Sequence, residues 1–221
     1  MQATQDKGYK GMAMEGFVAR WYARNTGKNL EDYKKAAHKI AGQLARGSHM
    51  LEVAPGPGFV AIELARLGSY RITGLDISKS FVQIATRNAE AAGVEVNFRE
   101  GNVSAMPFNS ESFDFIYCRA AFKNFSDPVG ALCEMHRVLK PGGRVVINDL
   151  RKDATPESIR EAVKGMGLSR INAWLTRLIF KHSLLKRAYT PEDVRGMVAK
   201  TPFGTCEIEC DLIGMDITLT R

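Results

Sequence analysis

Gly56, Gly58 and Asp76 carry the spacing with the most chemistry in this sequence. The two glycines fall in Leu51-Glu52-Val53-Ala54-Pro55-Gly56-Pro57-Gly58-Phe59-Val60, and Asp76 follows Gly56 by twenty positions. A short apolar run that turns through glycines into helical spacing, Phe59 to Leu67, lets a ligand lie against bare backbone with helix N-terminal N–H groups pointing at it. Tyr70-Arg71-Ile72-Thr73-Gly74-Leu75 reads as the next strand and presents Asp76 at its end. A carboxylate there can accept hydrogen bonds from both hydroxyls of a ribose. The glycine turn alone is weak evidence; the turn and the acid together point to a bound nucleoside.

The elements that must position these residues follow a repeated β-α order. The pattern predicts strand 48–54, helix 58–67, strand 70–76, helix 78–92, strand 94–99 and strand 113–118. Ser78 and Asp127 are candidate N-caps, Gly93 is a C-terminal stop, and Pro128 suits the first position of a helix running to about Leu139. Lys140-Pro141-Gly142-Gly143 reads as a turn before a fifth strand, Arg144 to Leu150. Such alternation builds a parallel sheet with helices on both faces and ligands at the carboxyl ends of its strands. Cys206 to Leu212 and Met215 to Thr220 alternate like strands joined at Gly214 and would close the sheet with at least one antiparallel strand.

On either side of this core lie helical segments. Residues 1–10 read as loose. Gly11 to Arg24, with Met12, Met14, Phe17, Val18, Trp21 and Tyr22, is either a helix against the sheet edge or a lid over the ligand. Leu30 to Arg46 is an amphipathic helix. Pro156 to Lys164 and Ser169 to Arg187 are basic helical segments, and Thr190-Pro191 opens a further short helix. In the second segment Ile171, Trp174, Leu175, Leu178 and Ile179 form a stripe flanked by Arg170, Arg177, Lys181, Lys186 and Arg187. It reads as core packing, a lid over an apolar substrate, or weak docking on an anionic membrane surface. His182 and Tyr189 are lid-edge groups.

Composition narrows the classes. The chain has 221 residues, 45% hydrophobic and 25% charged, enough for one sizeable core. There is no signal-peptide core and no run long enough to span a bilayer, so a cytoplasmic protein is expected. The charge of +7 favours anionic partners without marking nucleic acid as one. Cys118, Cys133, Cys206 and Cys210 fit no metal spacing, and the four histidines are scattered; no metal is expected. Arg46-Gly47-Ser48-His49-Met50 matches an expression-tag scar but lies mid-chain, so it is read as native sequence.

Five stretches together resemble the class I S-adenosylmethionine-dependent methyltransferases. They are Leu51 to Gly58, Gly74-Leu75-Asp76-Ile77-Ser78, Gly101-Asn102-Val103-Ser104-Ala105-Met106-Pro107-Phe108, Phe113-Asp114-Phe115-Ile116-Tyr117-Cys118 and Arg137-Val138-Leu139-Lys140-Pro141-Gly142-Gly143-Arg144. Lys123-Asn124-Phe125-Ser126-Asp127-Pro128 is similar to the branch containing the ubiquinone/menaquinone-biosynthesis methyltransferases. The resemblance covers residues 48–150 and implies an α/β, doubly wound, Rossmann-like sheet of seven mostly parallel strands with an antiparallel C-terminal strand. It implies one domain over 1–221: N-terminal helices or lid 11–46, cofactor core 48–150, helical substrate cap 155–200 and closing strands 205–221. Ala54 stands where the family usually has a glycine, and Asn102 where it usually has Asp, although the Asn oxygen accepts the same hydrogen bond.

The implied roles are these. Glu52, Ala54, Gly56, Pro57 and Gly58 hold the methionine portion of S-adenosyl-L-methionine; Asp76 takes the ribose; Ile77 and Ser78 flank the adenine. Asn102 and the Val103 N–H bind its edge, Cys118 and Arg119 border the sulfonium, and Tyr22 covers the site. Methyl transfer from a sulfonium is an in-line displacement for which the protein mainly aligns the nucleophile and excludes water. The loop Arg119-Ala120-Ala121-Phe122-Lys123-Asn124-Phe125 holds no His, Asp or Glu, so no base is assigned; Arg119, Lys123 and Asp149 are candidates for contact with substrate, with Asp149 alternatively capping near Arg151. The expected substrate is a small apolar or aromatic molecule, the expected state a monomer or homodimer. Two competing readings are an NAD(P)-dependent oxidoreductase, whose third glycine would fall at Ala61, and a nucleic-acid methyltransferase or binding module, for which Cys118-Arg119-Ala120-Ala121 lacks the Asn/Asp-Pro-Pro-aromatic segment.

Overall fold

β1 (His49–Val53) is the pivot of a seven-stranded sheet with strand order β3-β2-β1-β4-β5-β7-β6. The computed structural model describes residues 8–10, 14–27, 30–165, 174, 176–178, 180 and 184–221. β1 pairs in parallel with β2 (Arg71–Asp76) on one side and β4 (Phe113–Arg119) on the other. β3 (Asn97–Glu100) extends the β2 side, and β5 (Leu139–Leu150) the β4 side, both parallel. β7 (Gly214–Thr220) runs antiparallel between β5 and β6 (Glu207–Cys210), so one strand is reversed. The order turns outward in both directions from β1, and the crevice above such a switch point is where α/β sheets take ligands. Val53 pairs with Leu75 and with Cys118, which brings Ala54, Asp76 and Arg119, each one residue further on, to one edge of the sheet.

Strand alternation explains the two apolar layers. On one face Met50, Ile72, Phe115, Tyr117 and Val146 meet α2 (Leu30–Ala41) and α3 (Phe59–Leu67) through Ala37, Ile40, Val60, Ala61 and Leu64. On the other, Leu51, Val53, Leu75, Ile116, Cys118 and Ile147 meet α5 (Pro128–Val138) through Leu132, Met135 and Val138. Burying each large apolar side chain contributes about 1.5–3 kcal/mol, which makes the sheet a stiff platform for the loops at its edge. α1 (Gly16–Thr26) packs Ala19 against Phe81 and Ile84 of α4 (Lys79–Ala92). Beyond β5 come α6 (Pro156–Gly165), a helical turn at Leu185–Arg187 and α7 (Pro191–Val198).

Caps fall where the residue types require. Ser78 Oγ accepts from Phe81 N at 3.1 Å, Asp127 Oδ1 accepts from Gly130 N at 2.9 Å, and Thr190 with Asp193 closes a capping box on α7. Boundaries differ where tertiary pairing overrides local signals. α2 stops at Ala41 rather than Arg46, and β3 starts at Asn97 rather than Val94. Lys140-Pro141-Gly142-Gly143 is no free turn: it lies within β5, where the register jumps from Phe113↔Leu139 to Phe115↔Arg144. Arg221 takes up its backbone groups, accepting from Gly142 N at 2.8 Å and donating to Gly143 O at 3.1 Å. Met50, in the stretch that matches a tag scar, is fully buried in β1.

The N-terminal helix spans Gly16–Thr26; Gly11 and Met12, at the expected start, lie outside the described residues. Of the stripe expected over 169–187, Ile171, Leu175 and Ile179, with Arg170, Lys181 and His182, lie outside the described residues. Trp174 is exposed and Leu178 half-buried. No helix among the described residues is long and apolar enough to cross a membrane.

Candidate active site

The turn after β1 bends through left-handed backbone at three positions: Ala54 (φ 53°), Gly56 (φ 54°) and Gly58 (φ 80°). Glycine is required at 58, where a Cβ would lie 2.6 Å from Phe98 Cζ and 3.0 Å from Ala85 Cβ. Ala54 carries the strain of that region with a Cβ in place. Gly58 O accepts the first intrahelical bond of α3, from Ile62 N at 3.0 Å, which leaves the Ala61 N–H among the free donors of the first turn.

Asp76 is the knot of the site. Its Oδ2 accepts from Gly56 N at 3.0 Å and its Oδ1 from Ser78 N at 2.9 Å. The carboxylate therefore joins the β1 turn to the β2 turn at the carboxyl edge of the sheet. Burial pushes its pKa up to about 6 against the pull of these N–H groups. Ser78 in turn donates to Met14 O at 2.6 Å, tying the segment before α1 to the same turn.

Glu52, in β1, is 3% exposed. Its carboxyl faces the Ala61 N–H of α3, and its Oε2 has no hydrogen-bond partner among the described residues. Burial raises its pKa to about 8, with the nearby Arg119 guanidinium opposing. A buried, unpaired carboxyl oxygen is costly unless a donor arrives. Glu52 lines a cavity of about 90 Å³ together with Tyr22, Tyr33, Ala54, Gly56, Pro57 and Arg119, among others. The guanidinium of Arg119 stacks over the Tyr33 ring at 5.5 Å and reaches Asp32 O at 3.4 Å. One carboxyl and one guanidinium in a small cavity complement the ammonium and carboxylate of an amino acid.

The remaining sequence candidates divide. Asn102 Oδ1 accepts from Ser104 N at 2.9 Å, capping the 3-10 turn Val103–Ala105, and keeps one lone pair. Cys118 is fully buried in the core, which pushes its thiol pKa up. Lys123 and Asp149 hold each other. Lys123 Nζ donates to Asp149 Oδ1 at 2.6 Å and to Ala120 O at 2.7 Å, and Lys123 N donates to Asp149 Oδ2 at 2.9 Å. Both are buried, so neither presents a free charge to the cleft; they brace Ala120, which sits at φ 57°. Asp149 also caps backbone near Arg151, its Oδ1 accepting from Leu150 N at 2.8 Å, while the Arg151 guanidinium pairs with Asp153 at 2.7 Å.

Gly8 to Lys10 are the residues that sequence reasoning missed. Expected to be loose, they are pinned: Lys10 N donates to Asn124 O at 2.6 Å, Tyr9 bridges Phe125, and Lys10 Nζ donates to Tyr189 Oη at 3.0 Å. A Cβ on Gly8 would lie 2.5 Å from Ile77 Cδ1 and 2.8 Å from Asn102 Nδ2. The strap thus crosses the two side chains expected to flank the adenine. Nothing in residues 1–10 signals this, because the contacts are made with segments some 70 to 180 positions away. Tyr33 and Ala120 also line the cavity unforeseen; helical periodicity hides the first and a non-glycine left-handed residue the second.

The family described as "Methyltransferase domain" matches residues 51–147. A demethylmenaquinone methyltransferase of Thermus thermophilus is 35% identical over 151 residues, 68% of this chain and 67% of that protein. The chain spans less than half the length of the next relatives it matches. A crystal structure from Methanococcus maripaludis superposes with a TM-score of 0.76 at 20% identity, covering 96% of this chain and 95% of that one. A S-adenosylmethionine-dependent methyltransferase from Aquifex aeolicus gives 0.62 at 16%, over 87% and 98%. The dinucleotide-oxidoreductase and nucleic-acid readings give way here. With its outward-turning strand order, its reversed β7 and its paired Gly56 and Asp76, the chain belongs to the class I S-adenosylmethionine-dependent methyltransferases, in the branch of the ubiquinone/menaquinone-biosynthesis enzymes.

Proposed function

We propose that this chain methylates a small, largely apolar aromatic molecule, with a hydroxylated quinone precursor as the leading class. The observation that carries the cofactor assignment is the orphaned Oε2 of Glu52, a residue that lines one cavity with Arg119. The residues fit S-adenosylmethionine: Glu52 would take the methionine ammonium, Arg119 its carboxylate, Asp76 the ribose hydroxyls, and Ile77, Asn102 and Val103 the adenine. This moves Arg119 away from the sulfonium, where its charge would repel, to the amino-acid end. When bound, that group supplies an electrophilic methyl.

The chain's own work is to hold, align and exclude water. The aromatic substrate class is supported by the names of the relatives and by the loop after β4. There buried Phe122 meets Phe125 and Tyr189 with ring centroids 5.7 Å apart in both pairs, an apolar backing to the loop that carries Ala120. The ionisable groups lining the cavity are Tyr22, Tyr33, Glu52 and Arg119, of which Glu52 is committed to the ammonium. A substrate whose own hydroxyl activates the ring carbon lowers the demand for a strong protein base.

The test is methyl incorporation from labelled S-adenosylmethionine into a panel of hydroxylated naphthalenes, simple phenols and primary amines. Transfer to carbon of the bicyclic hydroxyarenes is expected. Transfer confined to the amines would reject the substrate class, and no calorimetric heat with the methyl donor would reject the cofactor.

A further inference from the structure

We propose that the outer face of α1 docks on an anionic lipid surface. Phe17, Arg20, Trp21 and Arg24 follow i, i+3, i+4, i+7 spacing and therefore share one face of the helix. Phe17 is 73% and Trp21 58% exposed, the two largest exposures among the large apolar side chains described. Arg20 and Arg24 are also exposed, and neither forms an ion pair among the described residues. The opposite face is satisfied: Ala19 is buried, with Phe81 and Ile84 packed in the same cluster. α1 thus spends its small residues on the protein and turns two rings and two guanidinium groups outward.

The pattern selects the partner. Two rings of roughly 150–250 Å² each fall well short of the ~800 Å² per partner of a stable protein interface. A bilayer boundary needs no such area. Rings seat at the headgroup level while arginine stems snorkel to the phosphates, and surface potential adds attraction for each basic residue. The net charge of +7 acts in the same direction. α1 is also wired to the site: Tyr22 lines the cavity and stacks edge-on to Phe81 at 5.8 Å, and Glu15 Oε2 and Gly16 N engage Ser80 beside the Asp76 turn. Docking would set the cleft beside the phase in which an apolar substrate dissolves. That use rests on the proposed function; the docking itself rests on α1 alone.

The full chain is tested by co-sedimentation with phosphatidylcholine vesicles, with and without phosphatidylglycerol, at low salt. Binding to the anionic vesicles only is expected. R20Q/R24Q should weaken it roughly thirtyfold, as about two basic contacts are lost, and F17S/W21S should abolish it. In a Trp174→Phe background Trp21 is the sole tryptophan, and its emission should shift to the blue on anionic vesicles. All variants should bind S-adenosylmethionine like the parent by calorimetry, which separates failed docking from a failed cofactor assignment. No vesicle binding, binding indifferent to both pairs of substitutions, or a concentration-dependent dimer that F17S/W21S dissolves would each overturn the proposal.

Discussion

Asp76 Oδ2 accepts the Gly56 N–H at 3.0 Å across twenty positions of sequence, so the acid at the end of β2 shapes the glycine turn at the end of β1. One carboxylate thereby sets the backbone of the turn and keeps lone pairs for a ligand. Asp76→Ala should lower S-adenosylmethionine affinity roughly 100-fold or more, the loss of two charge-assisted hydrogen bonds at about 1.5–3 kcal/mol each. Because its pKa is raised to about 6 and hydroxyl donors need the ionised form, affinity of the parent should also weaken as pH falls below about 6. Titration calorimetry across pH 5 to 8 reads both effects. Unchanged affinity in the variant would remove Asp76 from the site.

Glu52 predicts a proton coupled to binding. With its pKa near 8, the carboxyl is largely protonated at pH 7 in the ligand-free protein, and an arriving ammonium favours the ionised form. Binding at pH 7 should therefore release about one proton. Calorimetric enthalpies in buffers of different ionisation heat will give that number, which should vanish above about pH 9 and in Glu52→Gln.

The same two carboxyls set a pH dependence of stability. Both have folded pKa values above their ordinary ones, so the folded ligand-free chain binds more protons than the unfolded chain. The contribution of these two groups to stability must then fall as pH rises from about 4 to about 8, against the opposite contribution of His49 and His136, whose pKa values burial lowers. Glu52→Gln removes the larger share and should be more stable than the parent at pH 8, by on the order of 2–4 kcal/mol. Thermal melts at pH 5 and pH 8 give the comparison; a parent more stable at pH 8 than the variant would refute it.

Lys123 and Asp149 form a buried pair, and breaking one partner leaves a charge stranded. Lys123→Ala should cost about 3–5 kcal/mol, lowering Tm by roughly 10 °C in a chain of this size. The double variant Lys123→Met/Asp149→Leu should recover most of that loss. A Lys123→Ala protein with parental Tm but no turnover would instead make Lys123 a substrate-contacting group.

The strap at Gly8–Lys10 stands where the adenine is expected. A ring needs about 3.5 Å on each side, and Gly8 is already in contact with Ile77 and Asn102. A cofactor seated between Ile77 and Asn102 as proposed would require the strap to lift. Deleting residues 1–10 should raise the association rate of S-adenosylmethionine in stopped-flow fluorescence; a slower or unchanged rate would assign the strap to the wall of the site instead.

What the residues alone determined is everything that depends on local chemistry or strict periodicity. Alternating strands and helices, the caps at Ser78, Asp127 and Thr190, and the pairing of a glycine turn with an acid twenty residues on were all legible, because each is enforced within a few residues or by a repeated unit. Tertiary structure decided what depends on partners distant in sequence. Lys123 and Asp149, both candidates for the cleft, neutralise each other because β4 and β5 lie side by side; Lys140 to Gly143 became a bulge because Arg221 pairs with it. The N-terminal strap, silent in sequence, is held by backbone groups that come together only once the sheet has formed, and no spacing rule within ten residues can encode that.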